Sequence, residues 1–490
     1  MTDLGAEIPQ TGRDRQLLLE RMQALRGGDI RWRDNRAFGL VYHHSAEHTD
    51  FIKAAYNLFF SENALNPMAF KSLQRMERDV VRMTAKMFHG DSEVVGSMTS
   101  GGTESLLLAV LTYRNRARRK RPWIRKPEIV VPASAHVAFT KAGEYFGVRV
   151  VRTSLTADYR ADVRAVENHI TRNTIAIAGS APCYPYGVMD PIEELGALAT
   201  RHGLPLHVDA CLGGFFLPWV EKLGHHVPLY DFRVPGVTSI SADIHKYGYA
   251  AKGASTILYR DMDHFRDQVF ADVDWCGGVY GGATMAGTRP GGPIAAAWAS
   301  LQVLGENGFT ENARAIMGNA RRFSEGIRAM PELGILGSPV MGVLAYGARD
   351  ARISIYAVAD RLEQKGWHVD RLQRPEGIHL IINPGHATVV DQYLQDLGEA
   401  VAYVKANPDA ALEGTAPMYG LIAKMPLRRM VKRDVVTILA RLYSQTGDAD
   451  VEAIGDEESQ PGAAAVPKPL LQLMRLKARL GKVFRRKSHT

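Results

Sequence analysis

Short apolar segments alternate with longer amphipathic ones through the middle of the chain. Strand-like runs such as PEIVVP, TIAIAGSAP and PLHVDA, at residues 127–132, 174–182 and 205–210, stand between segments whose apolar positions recur at helical spacing. Buried strands between helices are typical of a largely parallel sheet that helices cover on both faces. The pattern therefore predicts an α/β domain over residues 68–300, with ligands bound at the carboxyl ends of its strands.

The pattern differs on either side of this domain. Residues 1–67 predict an N-terminal helical segment, and residues 301–445 predict a smaller C-terminal α/β domain. Residues 446–466 are first acidic and then rich in alanine and proline, which predicts a disordered linker. Residues 467–490 predict a basic amphipathic tail.

The net charge of +8 lies in this tail. Residues 467–490 carry eight basic residues and none that is acidic, and the rest of the chain has 52 of each sign. Because residues 1–466 carry no net charge, the sequence argues against a nucleic-acid partner for this part of the chain. The tail places Leu473, Leu476 and Leu480 on one helical face, opposite lysines and arginines. Such a helix can lie on an anionic membrane surface, and a solvated or partner-docked terminal helix fits the same pattern.

The sequence also indicates a compartment. No run reaches the ~18 apolar residues that a membrane span requires, and the N-terminus lacks an apolar core of signal-peptide length. Cys183, Cys211 and Cys276 are too few and too scattered for a disulfide framework or a zinc site. We therefore expect a soluble, cytoplasmic protein without a bound metal.

A glycine-containing loop precedes the first long apolar helix. In Ser100–Gly101–Gly102–Thr103, backbone amides and the positive end of the helix would face an incoming anion, and the glycines permit close approach. The loop lacks the lysine of a P-loop and the spacing of a dinucleotide fingerprint. It predicts a phosphate site, although an ordinary capped helix start would explain the same residues.

Three further side chains follow predicted strands. Asp209 would point into a crevice, where a protonated ring nitrogen could be its partner; a helix cap or an ion pair with an arginine is the alternative. Lys246 could form an imine if burial lowers its pKa, and a surface charge is the alternative. His136 could stack on an aromatic ligand or be an ordinary core histidine.

Together these residues match the needs of one cofactor. Pyridoxal phosphate requires a phosphate cradle, a stacking group, an acid that keeps the pyridine nitrogen protonated and a lysine that forms an imine. The chain offers these groups in the order glycine loop, His136, Asp209 and Lys246. We therefore expect pyridoxal phosphate as the cofactor.

Longer stretches carry a specific resemblance. TSGGTES, PLHVDACLGGF and residues 231–253 and 274–292 resemble the sphingosine-1-phosphate lyases within the group II pyridoxal-dependent decarboxylase family. The resemblance runs from about residue 30 to 445. It implies fold type I of the pyridoxal-phosphate enzymes, which is like aspartate aminotransferase, with a large domain around a mostly parallel sheet and a smaller C-terminal α/β domain. It also implies a homodimer whose active sites contain residues of both subunits.

The resemblance also implies roles for single residues around the cofactor. Lys246 would be the Schiff-base lysine, Asp209 would lie at the pyridine nitrogen and His136 would lie over the ring. The cofactor phosphate would be surrounded by Gly102, Thr103 and His245.

The reaction implied by the resemblance is carbon–carbon bond cleavage. A phosphorylated sphingoid base, or a similar amino-alcohol phosphate, would give an aldehyde and phosphoethanolamine. Tyr42 and Lys252 match positions that contact the substrate phosphate or assist proton transfer, and their chemistry suits both tasks. Asn66 stands where these lyases have a histidine that helps to hold the substrate phosphate. Its amide can donate a hydrogen bond but cannot carry a positive charge.

Two other functions are compatible with the sequence. An amino-acid α-decarboxylase would use the same cofactor, and Arg289 could then grip the substrate carboxylate, unless it is a structural arginine. A non-catalytic scaffold could instead dock to membranes through the tail. The presence of Lys246, Asp209 and His136 together counts against a scaffold.

Overall fold

A computed structural model describes residues 8–424 and 428–443 of the chain. The predicted linker (446–466) and the predicted basic tail (467–490) lie outside these residues. None of the helices in the described part combines the length and the apolar character needed to cross a bilayer.

Helices and strands alternate along the chain much as the sequence predicts. The first part contains α1 (Arg15–Leu25), α2 (Ala46–Leu58) and α3 (Lys71–Met87). The large domain follows with β1 (Val95–Thr99), α4 (Gly102–Lys120), β2 (Glu128–Pro132), α5 (Ala138–Phe146), β3 (Arg149–Thr153), α6 (Val163–Asn168), β4 (Thr174–Ser180), α7 (Ile192–Arg201), β5 (Leu206–Asp209), α8 (Leu217–Lys222), β6 (Val237–Ala242), β7 (Ser255–Tyr259), α9 (Met262–Phe265), β8 (Phe270–Asp272) and β9 (Tyr280–Gly282). The last part contains α10 (Gly291–Arg328), β10 (Leu333–Ile335), β11 (Val343–Ala348), α11 (Ile355–Gln364), β12 (Asp370–Gln373), β13 (Glu376–Ile381), α12 (Val390–Ala406), α13 (Ala416–Lys424) and α14 (Arg428–Leu442).

The large domain is built on a seven-stranded sheet with the order β1-β7-β6-β5-β4-β2-β3. β6, β5, β4, β2 and β3 pair in parallel, and β7 is antiparallel to both of its neighbours. Every residue of β2, β4, β5 and β7 is buried. Continuous apolar strands between helices therefore form the mostly parallel, covered sheet that their pattern predicts.

The smaller domain contains an antiparallel four-stranded sheet with the order β10-β11-β13-β12. It is joined to the large domain through α10, whose helical course is interrupted at Gly305, where φ is 56°. A glycine tolerates this left-handed conformation at little cost. The predicted boundary at residues 300 and 301 falls inside α10, so this helix connects the two domains.

The N-terminal segment does not stand alone as a separate helical unit. The amide of Phe38 donates to the carbonyl of His368 at 3.1 Å, and the carbonyl of Phe38 accepts from the amide of Ile381 at 2.9 Å. These backbone hydrogen bonds attach the segment to the smaller domain. They also fix the position of Tyr42, four residues further along the chain.

The Phe38 side chain enters a buried aromatic cluster. Its ring centroid lies 5.5 Å from that of Phe323, 5.9 Å from that of Trp367 and 4.8 Å from that of Tyr393. Trp367 is 1% exposed, and its indole N–H donates to Asp396 Oδ2 at 2.8 Å. The cluster therefore joins the N-terminal segment, α10 and α12 in one apolar core.

The cluster predicts a large stability effect at Trp367. Trp367→Ala should lower the free energy of unfolding by about 3–5 kcal/mol, because it removes a fully buried ring and leaves a cavity. Trp123→Ala is the matched control, since Trp123 is 69% exposed and its loss should change stability by less than ~0.5 kcal/mol. Denaturant unfolding of the cofactor-free variants measures both, and equal losses would contradict the prediction.

Candidate functional site

The carboxyl ends of the central strands and the start of α4 enclose a cavity of about 350 Å³. All seven residues that the sequence assigns to the cofactor lie in its walls: Gly101, Gly102, Thr103, His136, Asp209, His245 and Lys246. The structure therefore brings together side chains that are separated by up to 145 positions in the sequence.

Strand pairing places Asp209 at the edge of the sheet. It lies opposite Ser180 on β4 and Ser241 on β6. Its carboxylate oxygen Oδ1 accepts a hydrogen bond from the amide of Cys211 at 3.1 Å. The predicted alternative of an ion pair with an arginine is not present among the described residues. Asp209 is thus a buried carboxylate in the cavity wall that can accept a further hydrogen bond.

The geometry of the glycine loop is compatible with both interpretations of its sequence, a capped helix start and a phosphate site. The amide and hydroxyl of Ser100 donate to Glu104 Oε2 at 2.6 and 2.7 Å, so Ser100 and Glu104 form a helix-start contact. Helix α4 begins at Gly102, and the amides of a first helical turn have no intrahelical partner. These amides are therefore available to an anion in the cavity.

Two histidines each offer an N–H to the site. His245 Nδ1 accepts from the amide of Ala254 at 3.3 Å, and His136 Nδ1 accepts from the amide of Ala138 at 3.2 Å. Burial lowers the pKa of both rings, which favours the neutral form. A neutral ring whose Nδ1 is an acceptor carries its proton on Nε2. Each histidine can thus donate one hydrogen bond from Nε2.

Lys246 forms a buried ion pair that the sequence analysis did not foresee. Its Nζ lies 3.0 Å from Asp243 Oδ2, and Asp243 is 2% exposed. Burial alone lowers the pKa of Lys246, but the nearby Asp243 carboxylate outweighs it, so that this pKa is raised above its ordinary value. The expectation that burial would depress this pKa is therefore wrong for the cofactor-free protein, because a carboxylate balances the buried charge.

Asp243, Cys211 and Tyr184 are among the residues that line the cavity without having been predicted. Asp243 could have been suspected, because it stands three positions before Lys246. Burial, followed by the charge of Asp209, raises the pKa of Cys211 well above its ordinary value, so Cys211 is a thiol and not a thiolate. The Tyr184 hydroxyl donates to Asp370 Oδ2 at 3.0 Å. Nothing in the loop sequence around Tyr184 indicates this contact.

A second cavity, of about 460 Å³, contains both Tyr42 and Lys252 in its walls. Lys252 Nζ donates to the carbonyl of His245 at 3.3 Å and lies 5.2 Å from the ring centroid of Tyr42. Although Lys252 reaches solvent, the surrounding protein lowers its pKa to about 8, and the charge of Lys246 contributes to this shift. Burial raises the pKa of Tyr42 well above its usual value. The structure thus brings the predicted pair together directly beside the segment that carries Lys246.

Two other predicted residues lie elsewhere. Asn66 is exposed, its side-chain oxygen accepts from the amide of Met68 at 3.0 Å, and it lines neither of the two cavities. Arg289 donates to both carboxylate oxygens of Glu77, at 3.0 and 2.6 Å. Within one chain, Asn66 therefore does not reach Tyr42 and Lys252, and Arg289 forms a structural ion pair.

The first cavity fits pyridoxal phosphate. Small-molecule sites commonly occupy about 300–1,000 Å³, and this cavity falls within that range. The free amides of α4 and the Nε2–H of His245 are donors for a phosphate. Asp209 is an acceptor for a protonated ring nitrogen, and Lys246 supplies the amine. Donors, acceptor and nucleophile therefore occur in one enclosed site.

Comparisons with known proteins agree with this chemistry. Residues 44–349 match the model of the pyridoxal-dependent decarboxylase conserved domain. The chain is 44% identical to sphingosine-1-phosphate lyase of Arabidopsis thaliana over 87% of its own length and 79% of that protein. It is 41% identical to sphingosine-1-phosphate lyase 1 of Rattus norvegicus over 89% of its length and 77% of that protein.

Solved structures give the same result. The structure of sphingosine-1-phosphate lyase from Burkholderia pseudomallei K96243 is 40% identical, with a TM-score of 0.79, and the match covers 83% of this chain and 95% of that one. Glutamate decarboxylase of Lactobacillus brevis is 21% identical, has a TM-score of 0.72 and shares the fold, with 82% of this chain and 96% of that chain covered. The chain belongs to the pyridoxal-dependent decarboxylase family, within the group that contains the sphingosine-1-phosphate lyases.

Proposed function

We propose that the protein is a pyridoxal-phosphate-dependent carbon–carbon lyase. Its substrate would be a phosphorylated sphingoid base or a similar amino-alcohol phosphate, and its products an aldehyde and phosphoethanolamine. The observation that carries the proposal is the placement of Lys252 and Tyr42 beside the Lys246 segment. The 36–44% identity with proteins named sphingosine-1-phosphate lyases supports it.

The residues of the first cavity would hold the cofactor. The amides of Gly102 and Thr103 and the imidazole of His245 would bind its phosphate, and His136 would cover its ring. Asp209 would keep a proton on its ring nitrogen. When bound, pyridoxal phosphate supplies a carbonyl that takes up an amine and a protonated ring that withdraws electrons from a bond at the substrate Cα.

The second cavity would serve the substrate. The Lys252 ammonium contacts a carbonyl oxygen and an aromatic face, and no carboxylate lies within salt-bridge distance of it in the described part of the chain. A phosphate monoester would supply the missing negative charge and form charge-assisted hydrogen bonds with it. Lys252 is therefore suited to fix the phosphorylated end of the substrate.

Cleavage between Cα and Cβ requires two proton movements. The β-hydroxyl loses a proton as its carbon becomes the aldehyde, and Cα gains a proton. Tyr42 keeps its proton at neutral pH, because its pKa is raised by burial and, to a smaller extent, by Asp243. It can therefore donate a hydrogen bond or a proton. Lys252, with a pKa of about 8, can lose or gain a proton near neutral pH.

Amino-acid α-decarboxylation has less support. The candidate carboxylate-binding residue, Arg289, is held by Glu77. Removing Arg289 from that pair would leave the partly buried Glu77 carboxylate without its partner, which is costly. The resemblance to glutamate decarboxylase concerns the fold alone, because the two chains are 21% identical.

The function predicts aldehyde release that depends on Lys246. The purified protein with pyridoxal phosphate should convert a phosphorylated sphingoid base to a long-chain aldehyde, which can be trapped and quantified. Lys246→Ala should lose both the activity and the visible absorption band of lysine-bound cofactor, because no amine remains to join it. Carbon dioxide release from an amino acid, with no aldehyde from the lipid, would contradict the proposal.

A phosphate-binding role of Lys252 predicts a specific pH dependence. The Lys252 cation is present below a pKa of about 8 and is lost as the pH rises through that value, so kcat/KM for the phosphorylated substrate should fall above about pH 8. Lys252→Arg should remove this fall, since an arginine stays charged. Lys252→Met should raise KM by roughly 10–100-fold, the loss of one hydrogen bond to a charged group.

The matched control for Lys252 is a sphingoid base without phosphate. The wild-type protein and the Lys252→Met variant should bind this compound with similar affinity, which competitive inhibition measures. A Lys252→Met variant that loses affinity equally for both compounds would contradict a phosphate contact.

We further propose that the protein is a homodimer. The β8–β9 hairpin exposes four large apolar side chains, which are Phe270, Val273, Trp275 and Val279. A concentration of exposed apolar surface typically marks an interface. Just after the hairpin, the amide of Met285 donates to Glu104 Oε1 at 2.8 Å, at the start of α4. A second copy seated on this hairpin would therefore lie near the cavity, and could bring to it residues such as Asn66.

The dimer predicts sensitivity to polar substitutions in the hairpin. Sedimentation velocity should show a dimer, and the double change Trp275→Ser with Val279→Ser should shift it toward monomer because it removes apolar contact area. Trp123→Ser is the control, since Trp123 is equally exposed but distant in sequence. A wild-type protein that sediments as a monomer at every concentration would refute the dimer.

A cytoplasmic location and contact of residues 467–490 with an anionic membrane stay predictions of the sequence. We propose the membrane contact because this segment concentrates eight basic residues without an acidic one. Vesicle binding with and without the segment tests it.

A further inference from the structure

We propose that Asp243 is a positioning residue that couples cofactor binding to the uptake of one proton. In the cofactor-free protein its carboxylate holds the Lys246 ammonium in place. When the cofactor phosphate occupies the start of α4, one proton enters the site and is shared in a hydrogen bond between the Asp243 carboxylate and that phosphate. The inference rests on the cofactor part of the proposed function and is independent of which substrate the enzyme cleaves.

One carboxylate oxygen of Asp243 has close polar neighbours, and the other has no hydrogen-bond partner in the described part of the chain. Oδ2 lies 3.0 Å from Lys246 Nζ and 3.7 Å from His245 Nε2. Oδ1 is buried and has no hydrogen-bond partner among the described residues. The neighbouring hydroxyl of Ser255 donates to the carbonyl of Ala242 at 3.1 Å. A buried, unpaired carboxylate oxygen in a cavity wall is costly unless a ligand completes its hydrogen bonding.

The carboxylate also lies directly against the anion-binding loop. A Cβ atom placed on Gly102 would lie 2.7 Å from Asp243 Oδ2 and 2.9 Å from Oδ1. An anion that binds the first amides of α4 therefore comes close to this carboxylate. Two negative groups in one enclosed site cannot both stay fully charged at low cost, so the pair takes up one proton and holds it in a hydrogen bond between the Asp243 carboxylate and the phosphate.

The groups that face Asp243 determine when this occurs. Its own segment contributes His245, Lys246 and Lys252, and the facing elements contribute Tyr42, His136, Asp209 and Cys211. Burial raises the pKa of Asp243, but the Lys246 ammonium, together with the neighbouring His245 and Ser255 side chains, holds it below its ordinary value. The carboxylate is therefore ionised as long as the Lys246 ammonium stays beside it.

Joining Lys246 to a carbonyl removes that partner without changing the proton count. The nitrogen gives up two of its three hydrogens, which leave with the carbonyl oxygen as water, and it keeps one hydrogen and its positive charge. The ammonium donors that faced Asp243 are then lost, while the phosphate adds close to two negative charges at neutral pH. The proton that Asp243 and the phosphate then share must come from solvent.

Calorimetry of the wild-type protein tests the proton count directly. Pyridoxal phosphate and pyridoxal would each be titrated into cofactor-free protein at pH 8, in two buffers of different ionisation enthalpy. Pyridoxal phosphate should take up about one proton more than pyridoxal, since pyridoxal lacks the phosphate that opposes Asp243. An equal proton uptake for the two compounds would overturn the proposal.

Asp243→Asn tests the residue. Binding that takes up a proton weakens as the pH rises, so log Kd for pyridoxal phosphate should increase with pH in the wild type. The slope of this increase should exceed that of the variant by up to about one per pH unit. Inorganic phosphate should bind the cofactor-free variant more tightly than the wild type at pH 8, because a negative charge has been removed. Parallel log Kd curves, or weaker phosphate binding by the variant, would refute the role.

Asp370→Asn is the matched control. Asp370 accepts a hydrogen bond from Tyr184 near the same cavity but does not line it. The pH dependence of Kd for pyridoxal phosphate should therefore be the same in Asp370→Asn as in the wild type. A purely structural effect of Asp243→Asn would weaken binding by the same factor at every pH. These experiments measure the binding of cofactor and phosphate and do not depend on the substrate. A failed aldehyde assay would therefore refute the proposed substrate, whereas the role of Asp243 would be decided by the proton uptake and by the pH dependence of Kd.

Discussion

The parallel pairing of β5 with β6 is the constraint on which the site depends. Asp209 lies opposite Ser241, two residues before Asp243 and five before Lys246. Because side chains alternate between the faces of a strand, a slip of one residue would turn Asp209 away from the cavity. The hydrogen-bonded register of two buried strands therefore sets the position of Asp209 relative to the turn that carries Lys246.

The site separates two lysines by their electrostatic surroundings. Lys246 has a buried carboxylate at 3.0 Å, which keeps its ammonium charged in the cofactor-free protein. Lys252, six residues later, has only a carbonyl and the face of Tyr42 as close contacts, and its pKa falls to about 8. This difference in surroundings fits the roles proposed for them, Lys246 with the cofactor and Lys252 with a substrate phosphate. The difference arises from what each turn of the backbone places beside the amine.

The smaller domain contributes by anchoring the walls of the site. The Tyr247 hydroxyl, next to Lys246, donates to the carbonyl of Ile382 at 3.0 Å. Phe38 is hydrogen-bonded to the same sheet and leads to Tyr42, whose ring centroid lies 5.0 Å from that of Tyr247. The residues around Tyr42 and Tyr247 therefore come from three distant parts of the chain, and the aromatic cluster around Phe38 keeps them together.

The sequence alone predicted the fold class and the residues that meet in the first cavity, because both depend on local pattern: strands are apolar runs, and Asp209 and His136 follow such runs. It could not determine the pKa of Lys246 or the partner of Arg289. The first depends on the direction in which the turn points Asp243, and the second depends on Glu77 of α3, more than 200 positions away. Asn66 illustrates the same limit, since motif position suggested a place beside Lys252 that the described chain does not give it. Charges and contacts between distant segments are decided only when the tertiary structure fixes their distances, because electrostatic interactions depend on separation and burial and not on order along the chain.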